Sequence, residues 1–181
     1  MEKIFSKPRI VISRCLGFAA CRYNGELIRD PFIEAMKPYS KFLPICPELE
    51  CGLGIPRDPI RIVQTGGKRE LIQPAADRVI TRLMNSFISD CLKNLESIDG
   101  FILKSGSPSC GLCDVKIYSG KNINSDSSPG SGFFGRAIME QFPGIPSEDE
   151  RRLMHFRIRK HFLNAVHNLA RCRHNFMNGG V

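Results

Sequence analysis

Short runs of apolar and β-branched residues recur along the chain and predict buried strands. Residues 9–14 form the first run, Phe42–Ile45 the second, and a third begins at Phe101. Each run stops at a segment rich in Gly, Pro or Ser that cannot continue a strand. Because a helical pattern lies between the later strands, we expect a right-handed β-α-β crossover and a mostly parallel sheet.

Helical spacing of apolar positions predicts the other main elements. Residues 75–97 are expected to form the longest helix and to pack on the sheet through one apolar face. That face comprises Val79, Leu83, Phe87, Cys91 and Leu95. Residues 132–142 predict a further helix, and the Ser- and Gly-rich residues 120–132 before it predict a mobile loop. Two short strands around residues 61–63 and 70–72, joined by TGGK, predict a hairpin at the edge of the sheet.

The last part of the chain predicts a basic amphipathic helix. Ser147 and Glu150 have the spacing of a capping box, which indicates that this helix begins there. Its predicted apolar side comprises Leu153, Phe156, Phe162, Val166 and Leu169. Residues 147–181 carry seven Lys/Arg against three Asp/Glu, which is half of the chain's net charge of +8. Such a segment either meets phosphate, on a nucleotide or along RNA, or is a solvated helix face.

Length and composition indicate one main domain with an appendage. The chain has 181 residues, of which 42% are hydrophobic and 24% charged, enough for one sizeable core. We therefore predict an α/β protein: a single three-layer Rossmann-like domain over residues 1–146 and a C-terminal helical extension over residues 147–181. The sequence lacks the roughly 20-residue apolar run of a membrane span and the apolar region of a signal peptide, which predicts a cytoplasmic protein.

Three cysteines follow the three predicted parallel strands. Cys15, Cys46 and Cys110 are far apart in sequence, but the carboxyl ends of parallel strands line one crevice, so we expect the thiols to converge there. In a reducing compartment, eight cysteines are more readily explained as ligands or catalysts than as disulfides. Soft thiolates suit an iron–sulfur cluster, and three protein ligands would leave one iron of a [4Fe–4S] cluster open to a substrate.

The cysteine spacing leaves two other interpretations open. Cys110 and Cys113 have CxxC spacing, and Cys51 or Cys21 would complete a four-thiolate zinc site. The protein would then be a non-enzymatic zinc or iron–sulfur module that binds RNA through its basic helix. Alternatively, Cys110 and Cys113 would serve a redox thiol protein that is active without metal.

Five ordered motifs resemble those of the thiouracil desulfidase family. They are SRCLG at 13–17, CRYNG at 21–25, CPE at 46–48, GLGIPR at 52–57 and KSGSPSCG at 104–111. The resemblance covers roughly residues 7–146. It implies an α/β domain with an oxygen-sensitive [4Fe–4S] cluster on three cysteines, which map onto Cys15, Cys46 and Cys110. It also implies removal of sulfur from thiolated uracil compounds without net redox, with water supplying the oxygen.

The sequence differs from the family pattern at Asn24, and it resembles a second domain after residue 146. Asn24 stands where the family commonly has aspartate. Residues 147–162 resemble the beginning of a helical companion domain that is fused to some desulfidases acting on 4-thiouridine in tRNA. A thiolated pyrimidine base, a nucleotide and tRNA are therefore all candidate substrates, and the chain is expected to be a monomer or a homodimer.

Glu48 is the candidate general acid or base. It lies two residues after Cys46, and no histidine precedes residue 155, so a carboxyl group is the expected proton-transfer group. The alternative is that Glu48 pairs with Arg57 or caps a turn.

Polar residues in the same motifs are the other candidates. Ser107 is a candidate catalytic group. Both Ser107 and Ser109 would donate hydrogen bonds to the substrate or the cluster. The alternative is that they only form a turn, as serines beside a proline often do. Lys104, Arg57 and Arg22 are candidates for substrate contacts, such as those with a phosphate or ribose edge.

Overall fold

The computed structural model describes residues 6–122 and 124–178. The strands in this part of the chain are β1 Arg9–Ser13, β2 Lys41–Ile45, β3 Arg61–Thr65, β4 Lys68–Gln73, β5 Arg78–Val79, β6 Gly100–Leu103, β7 Val115–Tyr118, β8 Ser127–Gly130 and β9 Ser147–Asp149. The α-helices are α1 Pro31–Met36, α2 Pro47–Glu50, α3 Thr81–Lys93, α4 Phe133–Gln141 and α5 Phe156–Asn178.

The first sheet has the strand order β2-β1-β6-β9, and every pair in it is parallel. Val11 in β1 is level with Leu43 on one side and with Phe101 on the other. The α/β class and the predicted parallel sheet are confirmed. The carboxyl ends of β1, β2 and β6 consequently lie side by side at one edge.

Two apolar clusters cover the two faces of this sheet. Ile10, Ile12 and Ile102 belong to a cluster with residues of α1 and α5. Val11 and Phe101 belong to a second cluster, with residues of α3, α4 and the second sheet. This division follows from the period of two in a strand, which sends successive side chains to opposite faces. The result is a three-layer arrangement with the parallel sheet in the middle.

The predicted hairpin exists but lies in a second sheet, with the order β5-β4-β3-β7-β8. In this sheet β3 pairs in parallel with β7, and Ile62, Leu71 and Ile117 are buried. The prediction that the hairpin lies at the edge of the first sheet was therefore wrong. The prediction of a mobile loop over 120–132 was also wrong for residues 127–130, because β8 pairs antiparallel with β7.

The helix predicted over residues 75–97 is shorter in the structure, and it buries a different face from the predicted one. It spans 13 residues as α3, whereas α5 spans 23 and is the longest helix described. Met84, Ile88 and Leu92 form its buried stripe, while Val79 and Leu83 are 50% and 42% exposed. Strand β5 takes Val79 out of the helix, which begins only at Thr81.

The capping-box prediction at residue 147 was wrong. Ser147–Asp149 is strand β9, which pairs with β6, and α5 begins only at Phe156. Phe156 is itself 67% exposed, in contrast to its predicted place on the apolar side, whereas Phe162 and Val166 are buried in the core. The division of the chain after residue 146 stays a prediction. Within residues 6–122 and 124–178, no helix is long and apolar enough to span a membrane.

Candidate active site

A cavity of about 320 Å³ lies at the carboxyl edge of the parallel sheet. Four cysteines line it: Cys15, Cys21, Cys46 and Cys110. The structure thus brings together the three cysteines singled out in the sequence and adds Cys21 to them. Of the other predicted site residues, Arg22, Glu48, Arg57, Lys104 and Ser107 also line the cavity.

Cys15 and Cys46 are placed directly by strand ends. Cys15 follows β1 by two residues, and its carbonyl accepts a hydrogen bond from Ile28 N at 2.9 Å. Cys46 follows β2 immediately and is the cap residue of α2, with Pro47 in the first turn of that helix. Proline fits the first turn of a helix, and the chain leaves the strand for α2 at Cys46.

Cys110 lies on a tight turn that Ser107 organises. Ser107 Oγ accepts hydrogen bonds from the backbone N–H groups of Ser109, at 3.3 Å, and of Cys110, at 3.1 Å. The Ser109 carbonyl in turn accepts from the N–H groups of Phe134, at 2.8 Å, and Gly135, at 3.1 Å. The first turn of α4 therefore donates its otherwise unpaired N–H groups to the cysteine loop.

The close contact between α4 and this loop requires glycine. A Cβ on Gly135 would lie 2.4 Å from the carbonyl oxygen of Gly111 and 2.6 Å from that of Cys110. A Cβ on Gly132 would lie 2.6 Å from the carbonyl oxygen of Ser109. The sequence predicts only a helix for residues 132–142 and does not indicate that Gly132 and Gly135 help to place Cys110.

The thiols of Cys21, Cys46 and Cys110 have raised pKa values. Burial raises the pKa of Cys110 to about 12, against the opposing effect of the Ser13 and Ser107 hydroxyls. A hydrogen bond with Cys21, together with burial, raises the pKa of Cys46. A hydrogen bond with Cys15 is the main cause that raises the pKa of Cys21. A soft metal that binds these sulfurs must therefore displace protons from them.

Glu48 is held by contacts with both of its carboxylate oxygens. Arg57 donates to Oε2 from Nε at 2.9 Å and from Nη2 at 2.7 Å, and Ser109 Oγ donates to Oε1 at 3.0 Å. The sequence alternative of a Glu48–Arg57 pair is thus present, and Glu48 nonetheless lines the cavity. Ser109 is fully buried, so it reaches the site through Glu48.

Arg57 is committed to contacts within the protein. Besides Glu48, its guanidinium donates to the carbonyls of Gly54 and Cys21, each at 3.1 Å, and its side chain is only 5% exposed. It therefore joins the CPE loop to the loop that carries Cys21. This geometry favours a positioning role over the substrate contact suggested by the sequence.

A family model described as 2-thiouracil desulfurase matches residues 10–150. The chain belongs to this 2-thiouracil desulfurase family. The family resemblance recognised from the sequence motifs is confirmed.

Two known proteins are similar to this chain. The uncharacterized protein YbbK of Bacillus subtilis (strain 168) is 31% identical over 150 residues, covering 78% of this chain and 96% of YbbK. The solved structure of the [4Fe-4S]-dependent thiouracil desulfidase TudS (DUF523Vcz) superposes with a TM-score of 0.64 at 27% identity. That match covers 82% of this chain and 94% of the TudS chain, and it supports the α/β fold described above.

Lys104 is paired with Glu150, a residue that the sequence pattern predicted to belong to a helix capping box. Lys104 Nζ donates to Glu150 Oε1 at 2.6 Å, and Ser105 N donates to Glu150 Oε2 at 2.8 Å. Burial alone would raise the pKa of Glu150, but hydrogen bonds from Lys104 and Ser105 outweigh it, and the pKa is lowered. The Lys104 ammonium therefore lines the cavity with its charge already compensated.

Arg22 and Ser13 are two further residues that line the cavity. Arg22 pairs with Glu26, at 2.5 Å, on the exposed side of the site. Ser13 was missed in the sequence: it is buried, and its Oγ accepts from Lys104 N at 2.9 Å, which ties the end of β1 to the end of β6. The sequence signal that could have identified Ser13 is a serine directly after three apolar strand residues, where a buried hydroxyl would need a hydrogen-bond partner.

Proposed function

We propose that this protein is a [4Fe–4S]-dependent desulfidase that removes sulfur from a thiolated uracil compound, with Cys15, Cys46 and Cys110 as the cluster ligands. One observation carries the proposal: three thiols, two at the ends of β1 and β2 and one on the loop that follows β6, line one cavity together with a held carboxylate, Glu48. Family membership and the structural similarity to a [4Fe-4S]-dependent desulfidase support it.

The residues present fit such a cluster. The donors are soft sulfurs, and Cys46 and Cys110 are buried, as expected of iron–sulfur ligands. When bound by three thiolates, the cluster supplies an open iron with Lewis acidity and affinity for the substrate's sulfur.

Glu48 serves as the base for the attacking water. Both of its oxygens accept hydrogen bonds from Arg57 and Ser109, which is the pattern of an ionised carboxylate. Arg57 and Ser109 act through Glu48 by fixing the direction of its carboxylate. A base of this kind contributes typically about 10²- to 10⁴-fold to the rate.

Ser107 serves as a hydrogen-bond donor to the substrate. Its oxygen already accepts from two backbone N–H groups of the cysteine turn, and its hydroxyl also interacts with the Cys110 thiol. Since Ser107 lines the cavity, its proton can be donated either to that sulfur or to a uracil oxygen or sulfur. Arg22, on the cavity wall, is the remaining candidate for a contact with an oxygen-rich ribose or phosphate edge, whereas Lys104 already donates to Glu150 and Ser105.

The substrate is one of three classes: a thiolated base such as 2-thiouracil, a 4-thiouridine nucleotide, or 4-thiouridine in tRNA. The test is an anaerobic assay of reconstituted protein against 2-thiouracil, 4-thiouridine monophosphate and thiolated tRNA, with released sulfide and the oxygenated product both measured. Brown protein with iron and acid-labile sulfide, and turnover of at least one substrate, is the expected result. Colourless protein that holds one zinc and turns over none of them would replace the proposal with the RNA-binding module.

A further inference from the structure

A second cavity, of about 440 Å³, adjoins the proposed active site and has no role in the proposed function. Gly106, Pro108 and Arg151 line both cavities. The second cavity therefore continues from the first as one groove. A substrate larger than a free base can extend into this groove from the sulfur-lined end.

Two neighbouring strands of the second sheet supply the wall of the groove. Ile62 in β3 is level with Ile117 in β7, so Arg61 and Lys116, the residues before them, are side by side. Tyr118 lies two residues after Lys116 and thus on the same face of β7. The guanidinium carbon of Arg61 lies 4.9 Å from the centre of the Tyr118 ring. The groove therefore presents two cations and an aromatic ring on paired strands.

The groove has a surplus of positive charge. Arg61, Lys116 and Arg151 line it, and the carboxylate among its lining residues is that of Asp114. Asp114 accepts a hydrogen bond from Gly106 N at 2.7 Å. Within the part of the chain that the structure describes, none of the three cations forms a salt bridge. Three positive charges thus face one negative charge, and the surplus suits an anionic ligand.

The chemistry of the groove matches a nucleic acid strand better than a small substrate. A free thiolated base has no group that could use these charges. A nucleoside monophosphate carries one phosphate group, whereas the groove extends beyond Arg151 to Arg61 and Lys116, which line only the second cavity. An RNA strand carries a phosphate at every nucleotide, and its unpaired bases stack on aromatic rings and guanidinium planes.

We propose that the groove lined by Arg61, Lys116, Tyr118 and Arg151 binds the nucleotides that flank 4-thiouridine in a single-stranded segment of RNA. The inference rests on the proposed function, and it selects RNA among the three substrate classes. Arg151 contacts the phosphate next to the target nucleoside, and Arg61 and Lys116 contact the next nucleotide along the strand.

The test uses anaerobically reconstituted protein and three probes: 2-thiouracil, 4-thiouridine monophosphate and a short fluorescein-labelled RNA strand with one 4-thiouridine. Lys116→Ala removes a groove cation, and Lys116→Arg retains one. Lys160→Ala is the matched control, because Lys160 is an exposed lysine on α5. Fluorescence anisotropy gives the Kd for the RNA as a function of salt concentration, and turnover gives kcat/KM for each probe.

Wild-type protein should have a higher kcat/KM for the RNA than for the monophosphate. In Lys116→Ala, the slope of log Kd against log salt should fall by about 0.7, the value of one phosphate contact on a single strand. Relative to 1 M salt, this loss raises the Kd for the RNA by about fourfold at about 0.15 M salt. The ratio of kcat/KM for RNA to that for the monophosphate should fall by a similar factor, through KM. Lys116→Arg and Lys160→Ala should retain the wild-type slope and ratio.

Four outcomes would overturn the inference. Equal kcat/KM for the RNA and the monophosphate in wild-type protein would remove the preference for a strand, and a wild-type salt slope in Lys116→Ala would remove the contact. Equal losses in Lys116→Ala and Lys160→Ala would indicate general attraction to a basic protein. A loss in Lys160→Ala alone would place the RNA on α5. Wild-type protein that turns over none of the probes is a separate result, since it would overturn the proposed function itself.

Discussion

Arg57 and Glu48 form a two-pronged ion pair, with Nε and Nη2 of the arginine 2.9 and 2.7 Å from the same carboxylate oxygen. Only Oε1 of Glu48 then remains for other partners, and Ser109 donates to it at 3.0 Å. The carboxylate is consequently locked in orientation beside Cys46 and Cys110. An oriented acceptor next to a sulfur-lined cavity is the arrangement that activation of a water molecule requires.

Replacing Glu48 with glutamine tests this role. Glu48→Gln keeps the size of the side chain but removes the basic carboxylate, so we expect turnover to fall by about 10²- to 10⁴-fold. Iron content should stay at the wild-type level, because Glu48 is not a proposed ligand. Glu50→Gln is the control, since Glu50 pairs with Arg14 at a more exposed position. Near-normal turnover in Glu48→Gln would exclude it as the proton-transfer group.

The assignment of the cluster ligands is tested by single alanine variants. Removing the sulfur of Cys15, Cys46 or Cys110 should give colourless protein with little bound iron after reconstitution. Cys91→Ala and Cys172→Ala should remain brown, because neither residue lines the cavity. Iron and sulfide analysis checks both expectations, and a colourless Cys91→Ala variant would show that the ligand set is wrong.

The convergence of the cysteines could be predicted because its signals are local. Each of β1, β2 and β6 is an apolar run that ends near a cysteine, and parallel strands place such ends at one edge. The Glu48–Arg57 pair was also foreseeable as an alternative, since both residues lie on one Pro- and Gly-rich loop. By contrast, the link from Lys104 to Glu150 joins residues 46 positions apart, and no local pattern marks it.

Strands β8 and β9 were not predicted, because pairing with another strand overrides the local sequence preference of these segments. Strand β8 has the sequence SSPG, which has little strand propensity, yet it pairs with β7 from Val115 to Tyr118. Strand β9 carries a capping-box pattern, yet its Ser147, Glu148 and Asp149 pair with β6. In both segments a neighbouring strand supplies the backbone hydrogen bonds; β6 is distant from β9 in sequence, whereas β7 and β8 are joined by a short loop.

A prediction about loop placement concerns Gly135. Helix propensity alone would make Gly135→Ala stabilising by roughly 0.5–1 kcal/mol, but the new Cβ would collide with the backbone of Cys110 and Gly111. We expect the collision to dominate, with a loss of about 1–3 kcal/mol in the free energy of unfolding and a lower iron content. Gly144→Ala is the control, because a Cβ there meets nothing within 4 Å. Equal urea midpoints for the two variants would contradict the proposed contact.

The lowered pKa of Glu150 predicts a pH dependence of stability. A carboxyl group whose pKa is lower in the folded state stabilises the fold above its ordinary value of 4.5, and this contribution is lost as the pH falls through the folded value. At pH 7, Glu150→Gln should cost about 1.5–3 kcal/mol, the typical worth of a hydrogen bond to a charged group. The difference from wild type should shrink below pH 4.5.

Urea unfolding of the metal-free proteins between pH 7 and pH 3 measures this dependence. Burial and the charge of Glu150 both raise the pKa of the neighbouring Asp149, so Glu150→Gln also lowers the Asp149 pKa, and part of the pH dependence of the difference comes from Asp149. A difference between wild type and Glu150→Gln that is the same at every pH would show that the Lys104–Glu150 contact does not depend on charge.

The last prediction concerns how the C-terminal helix is attached. Asp99, 3% exposed, accepts from Arg173 Nη2 and from Arg9 N, each at 2.7 Å, and thereby joins α5 to the beginning of β1. Arg173→Ala should cost about 1.5–3 kcal/mol, because it leaves a buried carboxylate with fewer donors. Arg171→Ala should change stability by less than about 0.5 kcal/mol, since Arg171 is exposed and contacts Asn168 on its own helix. Urea midpoints and hydrogen exchange along α5 measure both effects. If Arg173→Ala is as stable as wild type but its amide hydrogens exchange faster only within α5, the helix opens independently of the α/β domain.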